Sequence, residues 1–90
     1  MAKYHLYSIR DVHNGFGLPL CDYNDHTAKR GFLAAVADDH FASAGDFDLY
    51  CIGDFDTESG VISPLAFPSI VARGTEAMGL HPSKEVYSDG

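Results

Sequence analysis

The run Phe47-Asp48-Leu49-Tyr50-Cys51-Ile52-Gly53-Asp54-Phe55 limits the fold more tightly than any other part of the chain. Successive side chains of a strand point to opposite faces, so the alternation predicts Phe47, Leu49, Cys51 and Phe55 on one face and Asp48, Tyr50, Ile52 and Asp54 on the other. Asp56-Thr57-Glu58-Ser59-Gly60 then supplies turn chemistry, and Val61-Ile62 folds back as a short antiparallel partner to make a hairpin. Pro64 and Pro68 bracket Leu65-Ala66-Phe67 and imply an edge or an irregular crossing before a last strand at 69–73, closed by Gly74.

Upstream, residues 4–10 are rich in aromatic and branched side chains and read as a first strand. Residues 12–23 carry Asn14-Gly15, Gly17 and Pro19 among Phe16, Leu18 and Leu20, the pattern of a loop packed down on the core. Asn24 or Asp25 can cap a helix over 27–38, because a short side-chain oxygen there accepts from amides the first turn leaves unpaired. Ala28, Phe32, Leu33, Ala35 and Val36 give that helix one apolar stripe. Asp38-Asp39 opposes the helix dipole, so the helix is expected to stop there or restart as a short turn carrying Phe41 and Ala42. After Gly74 come Glu76-Ala77-Met78, Pro82 and a polar end, which predict a short helical turn and then fraying.

These elements predict an α+β fold, a small antiparallel sheet of three to four strands with one main helix packed on one face. No Pro-, Gly- or Ser-rich run divides the chain, so residues 1–90 are read as a single domain with its core at about 4–74 and a tail at 75–90. An apolar fraction of 46%, with five tyrosines and six phenylalanines, argues against disorder. No apolar run is long enough for a membrane span, and the start through Lys3 and Tyr4-His5-Leu6-Tyr7 lacks the apolar block of a signal peptide. Cys21 and Cys51 lack zinc or redox spacing and read as two free thiols in a reducing compartment, with a disulfide between them as the alternative.

Charge carries the functional reading furthest. The net charge is −7, and between Arg30 and Arg73 there is no Lys or Arg. Asp46, Asp48, Asp54, Asp56 and Glu58 all fall in that stretch, which predicts a negative surface that attracts basic protein partners and repels phosphate backbones. Asp54, Asp56, Glu58 and Gly60 resemble a calcium loop only superficially, because Ser59 stands where a glycine belongs and Leu65 where a bidentate Glu belongs. The histidines form no metal-ligand pairs, no Ser or Cys sits in a nucleophile context, and no phosphate-cradling loop is present. No catalytic residue, metal or cofactor is therefore expected, and the chain reads as a binding protein. Tyr4 and Tyr50, with Arg10 and Arg30, are the candidate contacts for single-stranded nucleic acid, against ordinary sheet packing of the same tyrosines.

Taken together, Tyr7-Ser8-Ile9-Arg10-Asp11, Leu18-Pro19, Asn24-Asp25, Ala28-Lys29-Arg30-Gly31-Phe32, Val36-Ala37-Asp38 and the block from Asp46 through Asp56 followed by Gly60 resemble the small nonstructural protein of microviruses, the gokushovirus-type single-stranded DNA phages. The resemblance covers about residues 4–74, and the Asp46 to Asp56 block is its most specific part. It implies an accessory protein of genome production in the host cytoplasm and brings no catalytic residues with it. The leading expectation is a binder of a replication, packaging or host protein. Three alternatives stand beside it: an acidic inhibitor that mimics DNA, a homo-oligomer using an exposed strand edge, and a direct single-stranded DNA binder.

Overall fold

A computed structural model describes residues 3–38 and 44–79. Its elements are β1 (Lys3–Asp11), β2 (Gly15–Phe16), β3 (Leu20–Asp22), α1 (Asp25–Asp38), β4 (Phe47–Asp56) and β5 (Ile62–Arg73), with 3₁₀ turns at Ala44–Asp46 and Gly74–Gly79. All strand pairs are antiparallel, in the order β2-β1-β4-β5, and β3 pairs with β1 next to β2. One helix against a curled antiparallel sheet is the α+β architecture the alternation and periodicity predict.

Asn24 is the residue that caps α1: its Oδ1 accepts from the Thr27 amide at 2.8 Å. The helix buries Ala28, Phe32 and Val36 against Tyr7 of β1, Leu49 of β4 and Ala72 of β5. Leu33 is partly buried, whereas Ala35, expected in the stripe, is exposed at its margin. Ala77 in the last 3₁₀ turn is fully buried in the same cluster, beyond the limit of the core expected from sequence. The expected restart of the helix at Phe41 and Ala42 lies outside the described residues.

Residues 12–23 are more ordered than a loop. Gly15, at φ 91°, turns the chain back so that Phe16 pairs with Arg10, and Leu20 to Asp22 pair with Tyr7 to His5 farther along the same edge. Strands of two and three residues are too short to leave a periodic signal.

A bulge in β4 rearranges the faces expected for it. Tyr7 pairs with Cys51 and Leu6 with Gly53, so Ile52 is the extra residue. Beyond that point the alternation is inverted. Asp54 pairs with His5 and shares the helix-side face with Cys51, while Phe55, expected inward, pairs with Tyr4 on the opposite face. The same place disturbs β5, where Ser69 pairs with Cys51 but Pro64 pairs with Gly53, leaving 65–68 to loop out opposite Ile52. That is the irregular crossing the two prolines imply. It joins the two halves of one long edge strand.

Three surface carboxylates hold local turns together. Asp11 accepts from the His13 amide and the Asn14 side chain, Asp56 from the Glu58 and Ser59 amides, and Glu76 from the Arg73 amide and Lys29. In each case the backbone amide is the main cause that holds the carboxyl below its ordinary range. Groups lowered in the folded state contribute stability above the unfolded pKa and lose it as pH falls through the folded one. Thermal melts are therefore expected to drop as pH falls below about 4. The drop should be shallower in a variant carrying Asp11→Asn, Asp56→Asn and Glu76→Gln, and equal slopes would show that these turns are not acid-sensitive.

Candidate functional site

Pairing register assigns the two faces of the sheet. Tyr7, Ile9, Leu49 and Ala72 pack with α1, so the residues between them on β1 and their partners on β4 turn the other way. That open face holds Tyr4, Leu6, Ser8 and Arg10 of β1, opposite Phe55, Gly53, Tyr50 and Asp48 of β4. Phe16 meets Tyr50 edge to face at 5.3 Å, and Tyr23 meets Tyr4 the same way at 5.1 Å. The Arg10 guanidinium lies 6.0 Å from the centre of the Phe16 ring, within cation–π reach. A hydrogen bond with Tyr23 is the main cause that raises the Tyr4 phenol above its ordinary pKa.

Where the chain leaves β2 it passes over Ser8, whose hydroxyl donates to the Gly17 carbonyl at 2.8 Å. This covers the middle of the open face and leaves Ser8 fully buried, while Phe16, Leu18 and Tyr23 remain exposed around it. The face thus presents aromatic rings, one exposed leucine and two arginines, since Arg73 approaches Asp48 at 3.9 Å.

Three of the four candidate nucleic-acid residues, Tyr4, Arg10 and Tyr50, are brought together on this face. Arg30 is not. It lies on α1, across the sheet, in a groove with Asp22 and Thr27.

The candidate acidic residues are divided. Asp48 belongs to the open face and accepts from the Gly74 amide at 3.3 Å. Asp54 belongs to the helix side and meets His5 Nδ1 at 2.7 Å. Asp46, 3.5 Å from His13 Nε2, stands before the start of β4, while Asp56 and Glu58 occupy the turn at its far end. Mimicry of a phosphate track needs such groups in a row on one surface, an arrangement these five do not make.

On the helix side, an open cleft of about 560 Å³ is lined by His5, Asp25, His26, Cys51, Asp54 and Leu65 among others. The Tyr7 hydroxyl donates to Asp25 at 2.7 Å, which gives a buried phenol its partner and ties the start of α1 to β1. Burial pushes the Tyr7 phenol far above its ordinary range and also raises the Cys51 thiol, which makes that thiol a poorer nucleophile. Both cysteines are free, Cys21 exposed and Cys51 half-buried. Among the described residues, no group of three or more His, Cys, Asp or Glu is placed to hold a metal ion, and no helix is long and apolar enough to cross a membrane. Sequence reasoning missed this cleft because the Ile52 bulge turns Asp54, expected on the other face, to the helix side beside His5. Gly53 beside the bulge was the one available signal.

A family model described as Phage ORF5 protein matches residues 4–77. The match begins on β1 and ends on Ala77, the last residue of the buried cluster. No curated protein and no solved structure matches the chain significantly.

Proposed function

Because the chain belongs to the Phage ORF5 protein family, we propose that it is a non-catalytic phage accessory protein whose work is to bind another protein during single-stranded genome production. The finer assignment, to the nonstructural proteins of gokushovirus-type microviruses acting in the host cytoplasm, rests on the Asp46 to Asp56 block and the Ala28 to Phe32 segment. The partner belongs to the replication or packaging apparatus or to the host.

The observation that carries this reading is the open sheet face. Tyrosine and arginine dominate the binding energy of protein interfaces, because each combines a large contact area with a polar end. Tyr4, Tyr23, Tyr50 and Arg10 supply that chemistry on a rigid sheet, held by edge-to-face ring contacts. The net charge of −7 favours a basic partner by steering its approach.

One observation favours a second reading, direct binding of single-stranded DNA: Tyr4, Tyr50 and Arg10 do share a surface on which bases can stack. Electrostatics weigh against it. Affinity for phosphate comes mainly from Lys and Arg, and the two arginines of this face have Asp48 beside them in a chain with thirteen carboxylates.

The test is binding of the purified chain to the phage's own replication and packaging proteins, in parallel with fluorescence anisotropy on an oligonucleotide. Tyr50→Ala and Arg10→Ala are each expected to weaken the protein complex by roughly tenfold or more. Micromolar binding to the oligonucleotide at physiological salt, with a steep salt dependence, would replace the first reading with the second.

A further inference from the structure

We propose that the outer edge of β5 is a self-association surface, on which a second copy of this chain docks antiparallel about a two-fold axis at the 65–68 bulge. This edge borders the open face, since Ile62, Ile70 and Arg73 pair with Phe55, Tyr50 and Asp48, and its test reads self-association rather than capture of another protein.

From Ser59 through Ala72 the chain carries no charged residue, and every residue of 61–70 is exposed. Two copies of a chain with net charge −7 repel each other over most approaches, and an uncharged strip is where they can meet. The strip is also apolar. Ile62, Leu65, Phe67 and Ile70 are exposed along it, and Phe67, raised by the bulge, is 80% exposed. These side chains flank the strand edge on both sides, Ile62 and Ile70 toward the open face and Leu65 toward the helix-side cleft, so that the edge itself is what a partner can cover.

The charges at its two ends choose both the occupant and the orientation. Asp56 and Glu58 lie at the turn before β5, and Arg73 lies at the other end. A two-fold axis at the bulge sets Arg73 of each copy beside the acidic turn of the other, so that opposite charges meet at both ends, whereas a parallel arrangement brings like charges together. Arg73 has room for this, since its side chain is 64% exposed and lies 3.9 Å from Asp48. Pro64 and Pro68 lack an N–H and interrupt any continuous backbone ladder, so side chains make the contact, with Phe67 near the axis.

The experiment is a sedimentation-equilibrium concentration series on the full chain at physiological salt. A dimer is expected, and Phe67→Asp should raise its dissociation constant at least ~30-fold with an unchanged far-UV circular dichroism spectrum. Arg73→Glu should raise it roughly fivefold, and adding Glu58→Arg to that variant should restore it. A chain that stays monomeric throughout the series, or a dimer indifferent to Phe67→Asp, overturns the proposal. A dimer that loses nothing with Arg73→Glu overturns the antiparallel arrangement.

Discussion

Leu49→Ala is expected to destabilise the fold by about 2–5 kcal/mol, and Phe32→Ala by a similar amount. Leu49 is 1% exposed near the start of β4, with Ile9 and Ala72 as its neighbours on the two flanking strands. Phe32 sits on the middle turn of α1 in the same cluster. Truncation removes apolar atoms and leaves a hole that neither the helix nor the sheet can close, because Tyr7, Asn24 and Asp25 fix the position of α1 by hydrogen bonds. Single domains are stable by only about 5–15 kcal/mol, so a loss of this size consumes a large share of the total. Urea unfolding measures it directly. Leu18→Ala, at a residue 88% exposed, is the control and should fall within about 0.5 kcal/mol of the unmodified chain. Losses under about 1 kcal/mol for both core variants would mean that α1 does not pack on this face.

Local signals carried most of the fold. The strand β4 with its alternation as far as Cys51, the Asn24 cap, the helix α1 with Ala28, Phe32 and Val36 inward, and the turn at 56–60 each depend on residues within a few positions of one another, and each is where its pattern predicts. What escaped depends on two strands meeting. The Ile52 bulge exists because β1 and β5 both skip that position in pairing, and a run of alternating residues cannot record a skip in its neighbours. One skipped residue was enough to move Asp54 from the outer face to the helix side and Phe55 the other way. The contacts of the cleft were hidden for a related reason, since His5 and Asp54 are 49 positions apart and neither has a local motif.

The candidate binding residues divide along the same line. Tyr4 and Arg10 were legible because parity on β1, a strand without a bulge, places them on one face, and Tyr50, which precedes the bulge, joins them through the β1–β4 register. The acidic stretch reads as one surface only while β4 is taken as an uninterrupted strand in isolation. Once paired, its carboxylates are drawn to both faces and both ends, and most of them hold a nearby amide or histidine. On the proposed reading, negative charge would act at long range, in steering, while the rings and arginines of the open face would supply contact.

Gly53→Ala is the substitution expected to separate β5 from β4. A Cβ at this position would lie 2.7 Å from the Ser63 carbonyl oxygen and 3.1 Å from the Pro64 Cα, both backbone atoms that no rotamer change can move. Either the 62–64 half of β5 swings away, breaking its pairs with Phe55, Asp54 and Gly53, or the bulge shifts and disturbs the Tyr7–Cys51 register. Overpacking of this kind costs about 1–3 kcal/mol, to which the lost pairing adds. Gly31→Ala gives the opposite sign and serves as the internal control. Gly31 is exposed inside α1 with nothing within 4 Å of its added Cβ, so alanine there should stabilise by roughly 0.5–1 kcal/mol through helix propensity alone. Hydrogen exchange distinguishes local from global loss: the amides of Ile62 and Ser63 should lose protection in Gly53→Ala before those of β1 do. If Gly53→Ala keeps full stability and full protection of Ile62 and Ser63, the close approach of β5 at the bulge is wrong, and with it the placement of Phe67 on the outer edge.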